Sequence, residues 1–145
     1  MVRRLVSVGY EHRTLRELVD DLVDAGVEVV VDVRLTPASR KPGMSKKRIS
    51  EATAAAGVAY VHAPHLGNPK DNRDGYHRGR AEAIDRYRAV LSSAEGSAAI
   101  ADIVQALRTK TVAVLCLEAD AAICHRSLVA QAVRKKCRGV ELVEL

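Results

Sequence analysis

The sequence predicts an α/β fold, a three-layer Rossmann-like open sheet of about five mostly parallel strands with helices on both faces. Five short apolar runs alternate with segments of helical periodicity, the pattern of βαβ units. The runs are rich in Val, Leu and Ile, as expected of parallel strands buried on both faces. A length of 145 residues with 48% hydrophobic residues is sufficient for one hydrophobic core. We therefore expect a single α/β domain over residues 1–145.

The strands and the first helices follow from local patterns. The predicted strands cover residues 5–9, 27–33, 58–61, 112–117 and 140–143. Thr14 and Glu17 have the spacing of a capping box at the start of the first helix. Gly26 can end that helix in a left-handed conformation. A second helix is predicted to begin near Ser45 and to end before Gly57.

The later helices are separated by polar breaks. Residues 80–108 read as two helices with a break at 92–97, and Ser97 is a candidate N-cap of the second. The last helix is predicted to begin near Cys124. The polar segment 66–79 is long for a connection inside a compact domain, so it is either a binding loop or a mobile surface loop.

Composition restricts the classes of function. The absence of Phe and Trp leaves little material for stacking single-stranded nucleic acid. No apolar run can span a bilayer and no signal peptide is evident, so we predict a cytoplasmic protein without membrane contact. Three cysteines without framework spacing are predicted to be free thiols in a reducing compartment. The net charge of +5 favours an anionic partner.

Polar residues follow strands one, two and four of the predicted sheet. Ligands of open parallel sheets bind beyond the carboxyl ends of the strands, where the strand order reverses. In a 3-2-1-4-5 order these three strand ends would lie near that point, although the sequence does not fix the order. The candidate site residues at these ends are Gly9, His12, Arg13, Asp32, Arg34, Ser39, Cys116, Glu118, Cys124, His125, Arg126 and Ser127.

Four of these residues are candidates for catalysis, and the other eight for ligand binding. Cys116 and Cys124 are possible nucleophiles, and Asp32 and Glu118 are possible acids or bases. Arg126 offers a planar fork of donors at a helix N-terminus, which suits a phosphate or carboxylate. The alternatives are structural: Cys116 as a buried apolar residue, and Arg126 as an ion-pair partner of Asp32 or Glu118.

The same strand ends carry a family resemblance. The motifs are Ser7-x-Gly9-Tyr10 with Arg13-Thr14-Leu15, Asp32-Val33-Arg34-x-x-Pro37-x-Ser39, Tyr60-x-His62-x-Pro64-x-Leu66-Gly67 and Cys116-x-Glu118-x-Asp120-x-x-x-Cys124-His125-Arg126-Ser127. In this order, from about residue 5 to the C-terminus, they resemble the bacterial and archaeal family called domain of unknown function 488. The resemblance implies a compact α/β domain and no established activity.

Several familiar sites are absent from the sequence. Cys116 and Cys124 precede Arg126 by ten and two positions, so there is no Cys-x5-Arg loop. No G-x-G-x-x-G fingerprint or P-loop is present. The Cys-x7-Cys-His spacing matches no standard zinc motif, so we assign no metal ligand; zinc at Cys116, Cys124, His125 and His12 stays an alternative. The sequence indicates neither a cofactor nor an oligomeric state.

Three functional hypotheses remain. The first is an enzyme or binding domain for a small phosphorylated or nucleotide-like anion, with Arg34, Arg126 and the Arg40–Arg48 segment as the anion site. The second is a nucleic-acid-binding module with basic loops. Its cations would be Arg40, Lys41, Lys46, Lys47, Arg48, Lys70, Arg73, Arg78 and Arg80. The third is a thiol-based redox sensor using Cys116 and Cys124.

Overall fold

The protein has a five-stranded sheet in which every strand pairs parallel to its neighbours, which confirms the predicted α/β class. The computed structural model describes residues 3–37 and 41–145. The strands are β1 (Arg3–Gly9), β2 (Val29–Asp32), β3 (Ala59–His62), β4 (Val112–Cys116) and β5 (Val140–Glu144). The helices are α1 (Leu15–Asp24), α2 (Lys46–Ala55), α3 (Arg73–His77), α4 (Ala81–Ser92), α5 (Ala94–Leu107) and α6 (Arg126–Lys136).

The strand order is β3-β2-β4-β1-β5. It differs from the 3-2-1-4-5 order considered above, because strands one and four exchange places. β4 therefore lies at the centre, and all five of its residues are buried. It pairs with β1 on one side and with β2 on the other, so that Val112 is level with both Leu5 and Val29. Apolar periodicity identifies buried strands, but it does not distinguish one central position from another.

Alternate residues of the strands form two cores, as expected when helices cover both faces of a sheet. Val112, Val114 and Cys116 belong to the core that also holds residues of α4, α5 and α6. Ala113 and Leu115 belong to the core that holds residues of α1 and α2. The predicted three layers are thus present. In the described part of the chain, no helix combines the length and hydropathy needed to cross a membrane.

The helix starts follow local hydrogen-bond signals. The capping box of α1 is confirmed, since the Thr14 hydroxyl accepts from the Glu17 N–H and the Glu17 carboxylate accepts from the Thr14 N–H. α2 begins next to Ser45 as predicted, and the Ser45 side chain is its N-cap. The cap of α5 is Ser93 rather than Ser97, so α4 and α5 are separated by a single residue. The last helix begins at Arg126, two residues later than predicted, after a short 3-10 turn over Ala121–Ile123.

The polar segment 66–79 is folded into short helices rather than an open loop. Two 3-10 turns, Pro64–Leu66 and Lys70–Asn72, lead into α3. The buried Asn72 side chain donates to Asn68 Oδ1 and to the Ala83 carbonyl, both at 2.9 Å. These bonds tie the segment to the start of α4. Segment 66–79 is therefore a folded part of the protein at the edge of the sheet, held against α4 by these hydrogen bonds.

Candidate functional site

A cavity of about 450 Å³ lies at the carboxyl ends of the central strands. β4 continues into α6 on one face of the sheet, whereas β1 and β2 continue into α1 and α2 on the other face. Such a divergence of connections opens a crevice beside the strand ends. The cavity is lined by residues that follow β1, β2 and β4 and by the segment 68–77; those used below are Tyr10, Arg34, Lys41, Arg73, His77, Cys116, Glu118 and His125.

Two thiols and an imidazole meet at the floor of this cavity. The Cys116 sulfur is 3.8 Å from His125 Nδ1 and 3.9 Å from His125 Nε2. The Cys124 sulfur is 3.9 Å from His125 Nδ1. Within the described residues, these three form the one group of cysteine, histidine or carboxylate ligands close enough to share a metal ion, with their ligand atoms within 4.8 Å of one another. Cys116 and His125 line the cavity, whereas Cys124 does not.

The orientation of His125 is fixed from two sides. Its Nε2 is 2.8 Å from the carbonyl oxygen of Val33, which can only accept, so this nitrogen carries the hydrogen. Nδ1 is then the ring nitrogen without a hydrogen, and it lies 3.9 Å from the Cys124 sulfur, whereas the Cys116 sulfur is almost equidistant from both ring nitrogens. The Tyr87 ring packs edge-on against the imidazole, with 5.1 Å between ring centroids.

The thiol–imidazole cluster has shifted acid–base properties. Burial raises the pKa of the Cys124 thiol, and the adjacent Cys116 sulfur adds to the rise. Burial by itself would lower the pKa of His125, but Cys124, the Val33 carbonyl and Glu118 outweigh it and the net pKa is raised. The Cys124 thiol is therefore protonated at neutral pH unless a cation is bound to its sulfur.

Glu118 supplies the carboxylate of the cavity. Its Oε1 is 2.7 Å from His77 Nε2, which brings α3 against the β4 exit. Its Oε2 is buried and has no hydrogen-bond partner among the described residues. Burial would raise the pKa of Glu118, but its own backbone N–H, the nearby Cys124 thiol and His77 lower it overall. Glu118 is thus an ionised group whose Oε1 contacts His77 and whose Oε2 is buried.

Arg34 and Asp32 form a buried ion pair at the β2 exit. Arg34 Nε is 2.8 Å from Asp32 Oδ1, and Arg34 Nη2 is 2.6 Å from Oδ2. Asp32 is fully buried, and Tyr60 also donates to its Oδ2. Burial would lower the pKa of Arg34, but the bonds to Asp32 outweigh it and raise that pKa. Asp32 is therefore held by Arg34 and Tyr60, although Arg34 still lines the cavity.

Arg126 supports the loop between β4 and α6 instead of facing the cavity. The side chain is fully buried, and its Nε donates to the Ser7 hydroxyl at 2.8 Å. Its Nη1 donates to the Glu118 carbonyl and its Nη2 to the Ala119 carbonyl at 3.1 Å. The contact with Glu118 is made to the backbone and not to the carboxylate. Arg126 thus holds the loop that presents Glu118.

Residues 14–133, more than half of the chain, match the family described as "Domain of unknown function DUF488". The chain belongs to the DUF488 family. No curated protein matches it significantly. The resemblance found in the motifs of the strand ends is therefore confirmed.

A solved structure shares the fold of this DUF488 protein. It is the "Putative phosphatase (DUF442)" of Shewanella putrefaciens CN-32, with a TM-score of 0.52 and 24% sequence identity. The match covers 94% of the DUF488 chain and 66% of the other chain. At this identity the likeness concerns the fold.

In the DUF488 protein, the Arg126 guanidinium donates to two backbone carbonyls of the β4–α6 loop, so it is already bound by the protein itself.

The remaining predicted site residues are spread over several environments. Arg13 donates to the Gly9 carbonyl and to Asp21. His12 is exposed, 3.8 Å from Glu11, and is not part of the thiol–imidazole cluster. Ser127 donates to the Cys124 carbonyl. Ser39 and Arg40 lie outside the described residues.

Gly9 serves close packing in the DUF488 protein. A Cβ atom at this position would lie 1.8 Å from the Glu118 carbonyl oxygen. We expect Gly9→Ala to lower the free energy of unfolding by about 3 kcal/mol, because the obstructing atom is backbone and cannot rotate away. Urea denaturation measures the change. The control Gly75→Ala should cost less than about 1 kcal/mol, since its Cβ would lie 3.1 Å from the Ala83 methyl. Equal effects at the two glycines would contradict this role.

Several cavity residues were missed as site residues by sequence reasoning. Tyr10, Lys41, Arg73 and His77 line the cavity, yet of these only Lys41 had been assigned to the anion site, as part of the Arg40–Arg48 segment, and Arg73 had been named only as a cation for nucleic acid. The signal for Arg73 and His77 was the long polar segment 66–79 itself. For Tyr10 the signal was its position directly after β1.

Proposed function

We propose that this DUF488 protein binds a small anionic compound, phosphorylated or nucleotide-like, in the cavity at the carboxyl ends of β1, β2 and β4. The observation that supports this is the charge of the lining. Arg34, Lys41 and Arg73 line the cavity as cations and Glu118 as a carboxylate, and the charge of Arg34 is balanced by Asp32. A volume of about 450 Å³ lies in the range of small-molecule sites.

Arg73 is the cation best placed to contact the ligand. It is half-buried in the cavity wall, and its Nε donates to the Asn68 carbonyl at 3.2 Å. Within residues 3–37 and 41–145 its terminal nitrogens have no hydrogen-bond partner. They present the planar fork that suits phosphate and carboxylate oxygens. The Arg34 guanidinium, by contrast, is paired with Asp32. Arg34 therefore contributes mainly to the shape of the cavity wall.

The groups that could react with such a ligand are the thiol–imidazole cluster, formed by Cys116, Cys124 and His125, and the Glu118 carboxylate. Cys116 and His125 line the cavity, and the Cys124 sulfur lies 3.9 Å from His125 Nδ1. Glu118 lines the cavity and is the candidate for proton exchange with a bound ligand, which requires its buried Oε2 to become accessible. Asp32 is a weaker candidate for acid–base work, because its oxygens are engaged by Arg34 and Tyr60.

We expect Arg73→Ala to weaken binding of such an anion at least about tenfold, because a charge-assisted hydrogen bond contributes about 1.5–3 kcal/mol. Isothermal titration calorimetry against inorganic phosphate, nucleoside monophosphates and sugar phosphates measures the loss, after a thermal-shift screen selects the compound. The matched control is Arg78→Ala, because Arg78 pairs with Asp74 on the surface and does not line the cavity.

Two results would contradict the proposal. In the first, no compound of the panel binds the folded wild type. In the second, Arg78→Ala loses as much affinity as Arg73→Ala, and the affinity falls steeply with salt. That second result would indicate a diffuse basic surface of the kind that binds nucleic acid.

A further inference from the structure

The thiol–imidazole cluster has the composition of a soft metal site. It holds two sulfurs and one imidazole nitrogen, all three residues are buried, and the ligand atoms lie within 4.8 Å of one another. Thiolate and imidazole ligands select zinc among the common biological cations. Carboxylate and carbonyl oxygens, which suit magnesium and calcium, are not part of the cluster.

The distances in the cluster are those of a tetrahedral site. With Zn–S bonds of about 2.3 Å and Zn–N bonds of about 2.0 Å, neighbouring sulfur and nitrogen ligands stand about 3.5 Å apart. The sulfurs of Cys116 and Cys124 are 3.8 Å and 3.9 Å from His125 Nδ1. Because the Cys116 sulfur is also 3.9 Å from Nε2, zinc binding requires this side chain to turn toward Nδ1.

We propose that Cys116, Cys124 and His125 bind a zinc ion. The ligand atoms are the two sulfurs and Nδ1 of the imidazole. The site is formed by the last residue of β4 and the two residues that precede α6, nine positions apart at most in the sequence.

The orientation of His125 supports this assignment independently of the sulfurs. Zinc-binding histidines usually donate their other ring N–H to a carbonyl or carboxylate, which fixes the ring and increases its basicity. His125 Nε2 is 2.8 Å from the Val33 carbonyl, so that second bond is in place. It also connects the cluster to the chain that follows β2.

The charge balance of the cluster favours a divalent cation. Zinc binding releases one proton from each of the two thiols to solvent, and the two thiolates then neutralise the ion. A neutral unit is far less costly to bury than an isolated ion. Three protein ligands are the number found in catalytic zinc sites, which keep a fourth position for water or substrate. Cys116 and His125 line the cavity, so a ligand in the cavity would be able to reach an ion held by them.

The test is the zinc content of the purified full chain. The protein is reduced, incubated with equimolar zinc chloride and passed through a desalting column, and metal is measured by inorganic mass spectrometry. We expect about one zinc per folded chain. Replacing zinc by cobalt should produce the sulfur-to-cobalt charge-transfer and visible bands of tetrahedral thiolate coordination.

The variants Cys116→Ser, Cys124→Ser and His125→Asn should each weaken zinc binding by more than about 10–100-fold, since loss of an outer partner alone has that effect. The matched control is Cys137→Ser, because Cys137 is buried in the same core but contacts Arg3 instead of the cluster. Circular dichroism reports folding. If a variant fails to fold, the zinc content of the wild-type protein decides the proposal.

Three outcomes would overturn the proposal: folded wild type that retains no zinc, unchanged zinc content in a folded cluster variant, or a Cys116–Cys124 disulfide in the intact mass of protein kept under reducing buffer. The outcome is separate from that of the anion proposal. Anion binding that depends on Arg73 in zinc-free protein would leave the proposed function standing, whereas zinc binding without any anion would leave the metal site standing.

Discussion

Replacing Arg126 with methionine is expected to lower the free energy of unfolding by about 3–5 kcal/mol. Methionine retains much of the length of the side chain and removes all of its donors. The Ser7 hydroxyl and the carbonyls of Glu118 and Ala119 then lose their partner. Each buried acceptor left unpaired costs about 1–3 kcal/mol, and part of that cost is recovered where water reaches the loop.

Chemical denaturation of Arg126→Met beside Arg16→Met measures this effect. Arg16 has a side chain that is 92% exposed, so its replacement should change stability by less than about 0.5 kcal/mol. The loss at Arg126 should not depend on added phosphate, because the side chain does not line the cavity. A stable Arg126→Met protein that had lost only anion binding would show that Arg126 is a ligand residue and would contradict its structural role.

Asp32→Asn is the second substitution with a large expected effect, again about 3–5 kcal/mol of lost stability. The amide keeps the shape of the carboxylate but removes its charge. Arg34, which is 6% exposed, then remains as a buried cation without its counter-charge. Breaking a buried pair on one side is strongly destabilising, because desolvation of the remaining charge is no longer compensated.

The surface pair of Asp71 and Arg86 provides the matched control. Their side chains are 76% and 48% exposed, so Asp71→Asn should cost less than about 1 kcal/mol. Tyr60→Phe removes one hydrogen bond to Asp32 and should have an intermediate effect of about 1 kcal/mol. If thermal or urea unfolding gave Asp32→Asn and Asp71→Asn the same small loss, the pair at the β2 exit would not stabilise the fold.

The sequence predicted the elements of this fold well where their signals are local. The capping box of Thr14 and Glu17 and the cap at Ser45 are contacts between residues three positions apart, and both are present. The N-cap of α5 was misplaced at Ser97, because several serines in one break offer the same local signal. Ser93 takes that position, since its hydroxyl accepts from the Gly96 N–H.

The sequence placed the candidate site residues at the strand ends, but it did not indicate which partners their side chains contact. Arg34 and Arg126 were both assigned to the ligand, yet Arg34 is bound by Asp32 and Arg126 by backbone carbonyls. A planar guanidinium fits carboxylates, phosphates and carbonyls alike, so composition does not decide its partner. Arg73, which lines the cavity, belongs to a polar segment whose folded path no short motif indicates.

The sequence by itself determined the α/β class, the five strands, the family and the edge of the sheet at which polar residues gather. These properties follow from periodicity, from caps a few residues long and from the common direction of parallel strand ends. Only the tertiary structure decided that β4 is central, that Cys116 reaches Cys124 and His125, and that α3 brings His77 to Glu118. Such contacts depend on how whole elements pack, because their free energy comes from surfaces that are distant along the chain.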